Sequence, residues 1–86
     1  MHTVDLLDQA LAVAIRLGYR VRQEWLGGEG GGACTLRGQK LLFLDLDRSV
    51  PEQLEQVLEA IGRDAALSVE GVPPALIEHI SLRRSA

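Results

Sequence analysis

The chain contains one nearly continuous apolar run, Lys40-Leu41-Leu42-Phe43-Leu44-Asp45-Leu46. A short run of this kind predicts a strand in the middle of a sheet, with both of its faces covered. The segment Arg37-Gly38-Gln39 before it predicts a tight turn, and Ala33 to Leu36 predict a second short strand before that turn. We therefore expect a sheet that is organised around residues 40–46.

The segments before this run predict a helix and a further strand. Apolar residues recur at helical spacing from about residue 3 to 17, and Gly18 follows at the position of a C-cap glycine. From Tyr19 to Trp25 the period changes to two, which indicates a half-buried strand. The helix carries two apolar rows, which are Val4, Leu7, Leu11 and Ala14 in one and Leu6, Ala10, Val13 and Leu17 in the other. A small sheet cannot cover both rows.

The segments after the run predict two more helices. Ser49 and Glu52 have the spacing of a capping box, and Pro51 lies in the first turn, where its missing N–H costs no hydrogen bond. Pro73-Pro74 begins a short terminal helix that extends to about Leu82. The apolar stripe of the first of these two helices comprises Val50, Leu54, Val57, Leu58, Ile61 and Ala65.

The element order is therefore α-β-β-β-α-α, which is an α+β fold. We expect a single domain that spans residues 1–86. Short connections between the strands predict a three-stranded antiparallel sheet of consecutive hairpins, packed against the helices.

The composition argues against several classes of protein. Of the 86 residues, 47% are hydrophobic and 24% are charged, which is typical of a globular chain without a membrane span. A net charge of −3 and one each of Trp, Tyr and Phe disfavour nucleic-acid binding. Acidic residues near the N-terminus do not fit a secretory signal, and a lone cysteine is typical of a reducing compartment. We therefore expect a cytoplasmic protein.

Residues 27–32 form a glycine-rich loop in which only Glu29 is not glycine. Gly28, Gly30 and Ala33 match the spacing G-x-G-x-x-A of a dinucleotide fingerprint, which binds phosphate at a helix N-terminus. The residues that follow predict a strand, so the required helix is missing. We interpret the segment as a flexible hairpin connection with several positive-φ positions, and a ligand-binding or gating loop is the alternative.

Four residues near Gly28 and Gly30 complete the candidate ligand site. Arg20 and Arg22 share the polar face of one strand and are interpreted as a solvated face, with binding of a carboxylate as the alternative. Trp25 is interpreted as a core or rim anchor that packs within the chain or across a dimer, with an exposed platform for a partner as the alternative. Cys34 lacks the histidine partner of a catalytic thiol and is interpreted as a small buried hydrophobe.

We expect no catalytic residues, no metal and no cofactor. Asp45 and Asp47 lie on either side of Leu46, at the end of the predicted strand. A carboxylate pair at this spacing can ligate a metal ion. Neither a histidine nor a third acid lies nearby in the sequence, so Asp47 is interpreted as a turn residue before Ser49.

The stretch from Trp25 to Ile61 resembles a group of small uncharacterised bacterial proteins. The resemblance rests on the glycine-rich loop, on Cys34 and Gly38, and on the run Leu42-Phe43-Leu44-Asp45. It implies a bacterial protein and supplies no catalytic residues.

The order of elements is also similar to the core of HExxH zinc peptidases. In the comparable segment Leu58-Glu59-Ala60-Ile61-Gly62, Glu59 lies at the position of the acid. Leu58 and Gly62 lie where that family has its two metal-binding histidines, so the similarity implies shared architecture without the chemistry.

Two hypotheses about function follow from these observations. The first is a non-enzymatic interaction or dimerisation module, which acts as a homodimer or as the partner of another cytoplasmic protein. It rests on the second apolar row of the first helix, whose burial by a symmetric partner would be favourable. The alternative is a small-molecule-binding protein or enzyme that uses the loop Gly27 to Gly32.

Overall fold

The structure is a computed structural model that describes residues 2–85, with side chains at all of these positions except 69 and 81–85. The predicted α+β class and the predicted element order are confirmed. The elements are α1 (Thr3–Arg16), β1 (Arg20–Glu24), β2 (Gly32–Leu36), β3 (Gln39–Asp45), α2 (Val50–Gly62), a single 3-10 turn (Val69–Gly71) and α3 (Pro74–Ser85).

The three strands form one sheet in the order β1-β3-β2, so β3 is central as predicted. Strands β2 and β3 are antiparallel and are joined by a two-residue turn of Arg37 and Gly38, whose φ angles of 52° and 78° are typical of a type I′ turn. Strand β1 instead runs parallel to β3. The prediction of a purely antiparallel sheet is therefore wrong, because the sheet is mixed.

The glycine-rich connection accounts for this difference. It leaves the end of β1, crosses the end of β3 and reaches the start of β2, rather than turning back beside β1. It has to cover two strand spacings of about 4.8 Å each, which a segment of this length spans easily. Gly27 and Gly28 adopt φ angles of 82° and 86°, which only glycine reaches without strain.

The core lies between one face of the sheet and the helices. Leu42 and Leu44 of β3 are fully buried there. Both rows of α1 except Val4, which is 54% exposed, are covered within the chain, because α2 packs along α1 and α3 contributes Leu76 and Ile80 to the same cluster. The buried residues of α1 are Leu7, Ala10, Val13 and Ala14, and Leu6, Leu11 and Leu17 pack against them. The expectation of an uncovered second row is therefore wrong.

The opposite face of the sheet, here called the open face, is not part of this core. It consists of Arg20, Arg22 and Glu24 of β1, Cys34 and Leu36 of β2, and Leu41 and Phe43 of β3, which share one side by strand register and alternation. None of these residues belongs to the hydrophobic cluster. The prediction that both faces of β3 are covered is wrong, because the helices pack on the side of Leu42 and Leu44.

Candidate functional site

The carboxylate of Asp45 lies at the centre of the glycine-rich loop. Asp45 is fully buried at the end of β3. Its Oδ1 accepts hydrogen bonds from the backbone N–H of Leu26 at 3.0 Å and of Asp47 at 2.9 Å. Its Oδ2 accepts from the N–H of Gly28 at 2.7 Å and of Gly30 at 3.2 Å. The crossing connection is therefore bound to β3 through one side chain.

These hydrogen bonds keep the carboxylate ionised. Burial disfavours the charge, but the N–H groups of Asp47, Leu26, Gly28 and Gly30 outweigh burial and lower the pKa of Asp45 below its ordinary value. Nearby, Oδ2 of Asp47 accepts a hydrogen bond from the N–H of Gly27 at 2.7 Å. Both members of the carboxylate pair are thus bonded to loop backbone. Within the described range, no three His, Cys, Asp or Glu residues are grouped so that they could hold a metal ion.

The loop directs its N–H groups at an anion that belongs to the chain itself. A dinucleotide-binding loop needs such N–H groups for the phosphate of its ligand, together with a following helix. Here the N–H groups of Gly28 and Gly30 are bonded to Asp45, and β2 follows the loop. The segment therefore connects two strands, but the prediction of a hairpin is wrong, because the segment crosses the end of β3 and β1 does not pair with β2.

Gln56 of α2 holds the other side of the loop. Its Nε2 donates a hydrogen bond to the carbonyl oxygen of Gly30 at 3.2 Å. Gly31 has a φ of 102°, a conformation that favours glycine, and a Cβ atom at this position would also displace the amide of Gln56, from which it would lie 2.7 Å away. Periodicity places Gln56 on the polar side of α2, so the sequence pattern does not distinguish it from a solvated residue.

A groove of about 450 Å³ opens beside this contact, between the start of β2 and α2. Oε1 of Gln56 is buried and accepts no hydrogen bond from the described residues. Glu59 and Arg63 form an exposed ion pair at 3.1 Å, so Glu59 is a solvated helix residue. The lining residues are Tyr19, Gly31, Gly32, Ala33, Gln56, Glu59, Ala60 and Arg63.

Three of the six predicted site residues come together on the open face. Arg20 and Cys34 lie in one row of the sheet, on either side of Leu41, and Arg22 lies in the next row beside Phe43. Arg22 forms an exposed ion pair with Glu24 at 3.0 Å. The other three predicted residues lie elsewhere, since Trp25 follows β1 and the two glycines bind Asp45.

The exposure of Cys34 and Trp25 bears on how each residue is interpreted from the sequence. Cys34 is an exposed free thiol and not a buried hydrophobe, because β2 is an edge strand and position 34 belongs to the open face. Trp25 is 73% exposed and does not anchor the core of the chain, because β1 ends one residue before it. An exposed thiol and an exposed indole therefore both border the same sheet.

A separate polar cluster joins the start of β3 to the ends of α1 and α2. Nζ of Lys40 donates to the carbonyl oxygen of Leu17 at 2.8 Å, forms an ion pair with Asp64 and lies 4.6 Å from the centre of the Tyr19 ring. The hydrogen bond from Lys40 is the main cause that lowers the pKa of Asp64. Burial, followed by the hydrogen bond with Asp64, raises the pKa of Tyr19.

Comparisons with family models, with curated proteins and with solved structures found no match for this chain. Among the helices that lie between residues 2 and 85, none is long and apolar enough to cross a lipid bilayer.

Proposed function

We propose that this protein is a non-enzymatic interaction module that binds another protein through the open face of its sheet. One observation carries the proposal: Leu41 and Phe43 form an apolar centre on a face that lies outside the hydrophobic core. Leu36 adds apolar surface at the edge and is 59% exposed. Apolar surface of this kind is a common feature of binding sites.

The charges that surround this centre indicate the chemistry of the partner. Arg20 and Arg22 border the apolar residues on one side, although the whole chain has a net charge of −3. Arginine is enriched in the central parts of protein interfaces. A protein surface with apolar residues flanked by carboxylates fits this face. We place this interaction in the cytoplasm, where an exposed thiol such as Cys34 stays reduced.

The experiment compares two variants of the full chain as bait in a lysate of the source organism. Arg20→Glu combined with Arg22→Glu reverses the charge beside the apolar centre. Ile15→Ser is the matched control, because Ile15 is a 60% exposed apolar residue of α1 on the other side of the molecule. We expect a partner that wild type and the control capture and that the double variant loses.

The partner is then purified and its Kd is measured by calorimetry. Reversal of two charges in an electrostatically complementary interface should weaken binding by about tenfold or more. A purified partner that binds the double variant with wild-type affinity contradicts the proposal.

A small-molecule-binding protein or enzyme is the second candidate, and the groove beside β2 favours it. Its volume of about 450 Å³ lies in the range of small-ligand sites. Oε1 of Gln56 is buried and accepts no hydrogen bond from the part of the chain that the structure describes, so it offers an acceptor for a ligand N–H or O–H group. Ligand-observed NMR with mixtures of small polar compounds tests this function. Binding should be lost in Gln56→Leu and kept in the Arg20→Glu and Arg22→Glu double variant.

A further inference from the structure

We propose that the outer edge of β2 is a dimerisation edge. It pairs with β2 of a second copy of the chain, antiparallel, about a two-fold axis at Cys34. The pairing joins two three-stranded sheets into one sheet of six strands. The hydrogen bonds of this proposal lie on the edge of the sheet, although Leu36 and Phe43 of the open face also take part. The two proposals are therefore distinguished by their variants, because Arg20→Glu and Arg22→Glu test the partner whereas Arg37→Glu and Glu29→Arg test the dimer.

The backbone groups of two residues are available on this edge. In an antiparallel pair, successive residues alternate between pointing their N–H and C=O groups at the partner strand and away from it. The two-residue turn makes Leu36 and Gln39 a hydrogen-bonded pair, so Gly32, Cys34 and Leu36 bond to β3. Ala33 and Thr35 therefore direct their N–H and C=O groups outwards. Residues 33–36 are all exposed.

The bounds of β2 favour one register. An axis at Cys34 places Ala33 of each copy opposite Thr35 of the other, and each such pair exchanges two hydrogen bonds. This register overlaps the whole of β2. An axis at Ala33 or Thr35 would instead pair Gly31 or Arg37, which lie outside the strand with φ angles of 102° and 52°.

The side chains on the open face are complementary in this register. Leu36 of one copy lies opposite Gly32 of the second copy, and Gly32 is itself paired with Phe43 on β3. Because Gly32 has no side chain, Leu36 can extend over it to the ring of Phe43 of the second copy. Large apolar side chains beside a glycine are a favourable cross-strand arrangement. The 59% exposure of Leu36 in the single chain would then be reduced.

The charges at the two ends of β2 also favour a second copy. Arg37 directly follows the strand and Glu29 precedes it in the loop. Both are exposed, and neither forms an ion pair with the described residues. Antiparallel pairing brings Arg37 of each copy near Glu29 of the other copy. One pair of opposite charges therefore lies at each end of the paired strands. Strand β2 itself carries no charge and no proline, the residues that usually protect an edge strand from pairing.

The test is sedimentation equilibrium of the full chain under reducing conditions. An interface of one short strand pair is small, so we expect half-association between roughly 10 µM and 1 mM. Cys34→Lys and Cys34→Glu each place two like charges at the axis, with Cα atoms about 4.5 Å apart. Each variant alone should be monomeric, and an equimolar mixture of the two should regain the dimer.

A matched pair of variants at Asp8 provides the control, because Asp8 is exposed on α1. Asp8→Lys and Asp8→Glu should dimerise as wild type does, both alone and mixed. A wild-type chain that stays monomeric up to about 1 mM overturns the proposal, as do Cys34 variants that dimerise alone or a mixture that stays monomeric.

A second variant pair keeps the test valid if the Cys34 variants fail to fold. Arg37→Glu and Glu29→Arg each create like charges at both ends of the paired strands. Each alone should show at least about threefold weaker association, and their mixture should restore it, because opposite charges again meet at both ends. Association that is unchanged in both variants overturns the proposal.

Discussion

Asp45 accepts backbone N–H groups from the first and the second half of the crossing connection. A carboxylate is well suited to this position, because each of its two oxygens accepts more than one hydrogen bond and neither is a donor. The glycines at residues 27, 28 and 31 allow the backbone to turn its N–H groups inwards. At the scale of the residue, the loop is therefore an ordered structure around an internal anion.

Asp45→Asn should release the loop. The amide keeps one acceptor oxygen, and its NH₂ group faces two backbone N–H groups with nothing to accept from them. We expect hydrogen exchange at Gly28 and Gly30 to become about tenfold faster or more, with a lower thermal midpoint. Asp5→Asn, an exposed change in α1, is the control. Unchanged exchange at both glycines would show that Asp45 does not hold the loop.

The lowered pKa values of Asp45 and Asp64 predict a loss of stability in acid. A carboxylate with a lower pKa in the folded chain than in the unfolded chain stabilises the fold above the unfolded value of about 3.9. That contribution disappears as the pH falls through the folded value. Urea denaturation from pH 7 to pH 2 should show a falling free energy of unfolding below about pH 4. Asp45→Asn should have a shallower pH dependence than Asp5→Asn; equal curves would contradict the assignment.

At the scale of the element, α2 begins as its sequence predicts. Oγ of Ser49 accepts a hydrogen bond from the N–H of Glu52 at 3.3 Å, and Oε1 of Glu52 accepts one from the N–H of Ser49 at 3.1 Å. Ser49→Ala should lower the free energy of unfolding by about 1 kcal/mol, and Ser49→Thr should cost less, because it keeps the capping hydroxyl. Urea denaturation at neutral pH measures both. Equal losses in the two variants would exclude the cap as the cause.

Lys40, at the start of β3, holds together the C-terminal ends of α1 and α2 through Leu17 and Asp64. Lys40→Met keeps the aliphatic stem but leaves the largely buried carboxylate of Asp64 without its cation. We expect a loss of roughly 1–3 kcal/mol in the free energy of unfolding. Arg63→Met, which removes an exposed ion pair with Glu59, should cost less than about 0.5 kcal/mol. Similar costs for the two variants would show that burial of Asp64 does not matter.

At the scale of the whole molecule, the helices cover each other. Leu17 packs against the core, whereas Ile15 of the same helix is 60% exposed. Leu17→Glu should therefore lower the free energy of unfolding by about 2 kcal/mol or more, and Ile15→Glu should be nearly neutral. Chemical denaturation at low protein concentration measures this. A stable Leu17→Glu chain with impaired self-association would instead place α1 in a dimer interface.

Features that are determined by residues close together in the sequence can be predicted from the sequence alone. The capping box at Ser49 and the turn at Arg37-Gly38 both follow from spacings of two to four residues. The two arginines on one face of β1 follow from the alternation of a strand. These features are local, because periodicity and capping operate within one or two turns of backbone.

Only the tertiary structure shows which strand β1 pairs with and what Asp45 binds. Both depend on the path of the glycine-rich connection across the end of β3, and its hydrogen bonds to Asp45 join residues 15 to 19 positions apart. The same path makes β2 an edge strand and leaves Cys34 exposed. Glycines permit many paths at similar cost, so local pattern does not choose among them. The buried carboxylate at the end of β3 selects one, because its charge is stable there only when backbone N–H groups surround it.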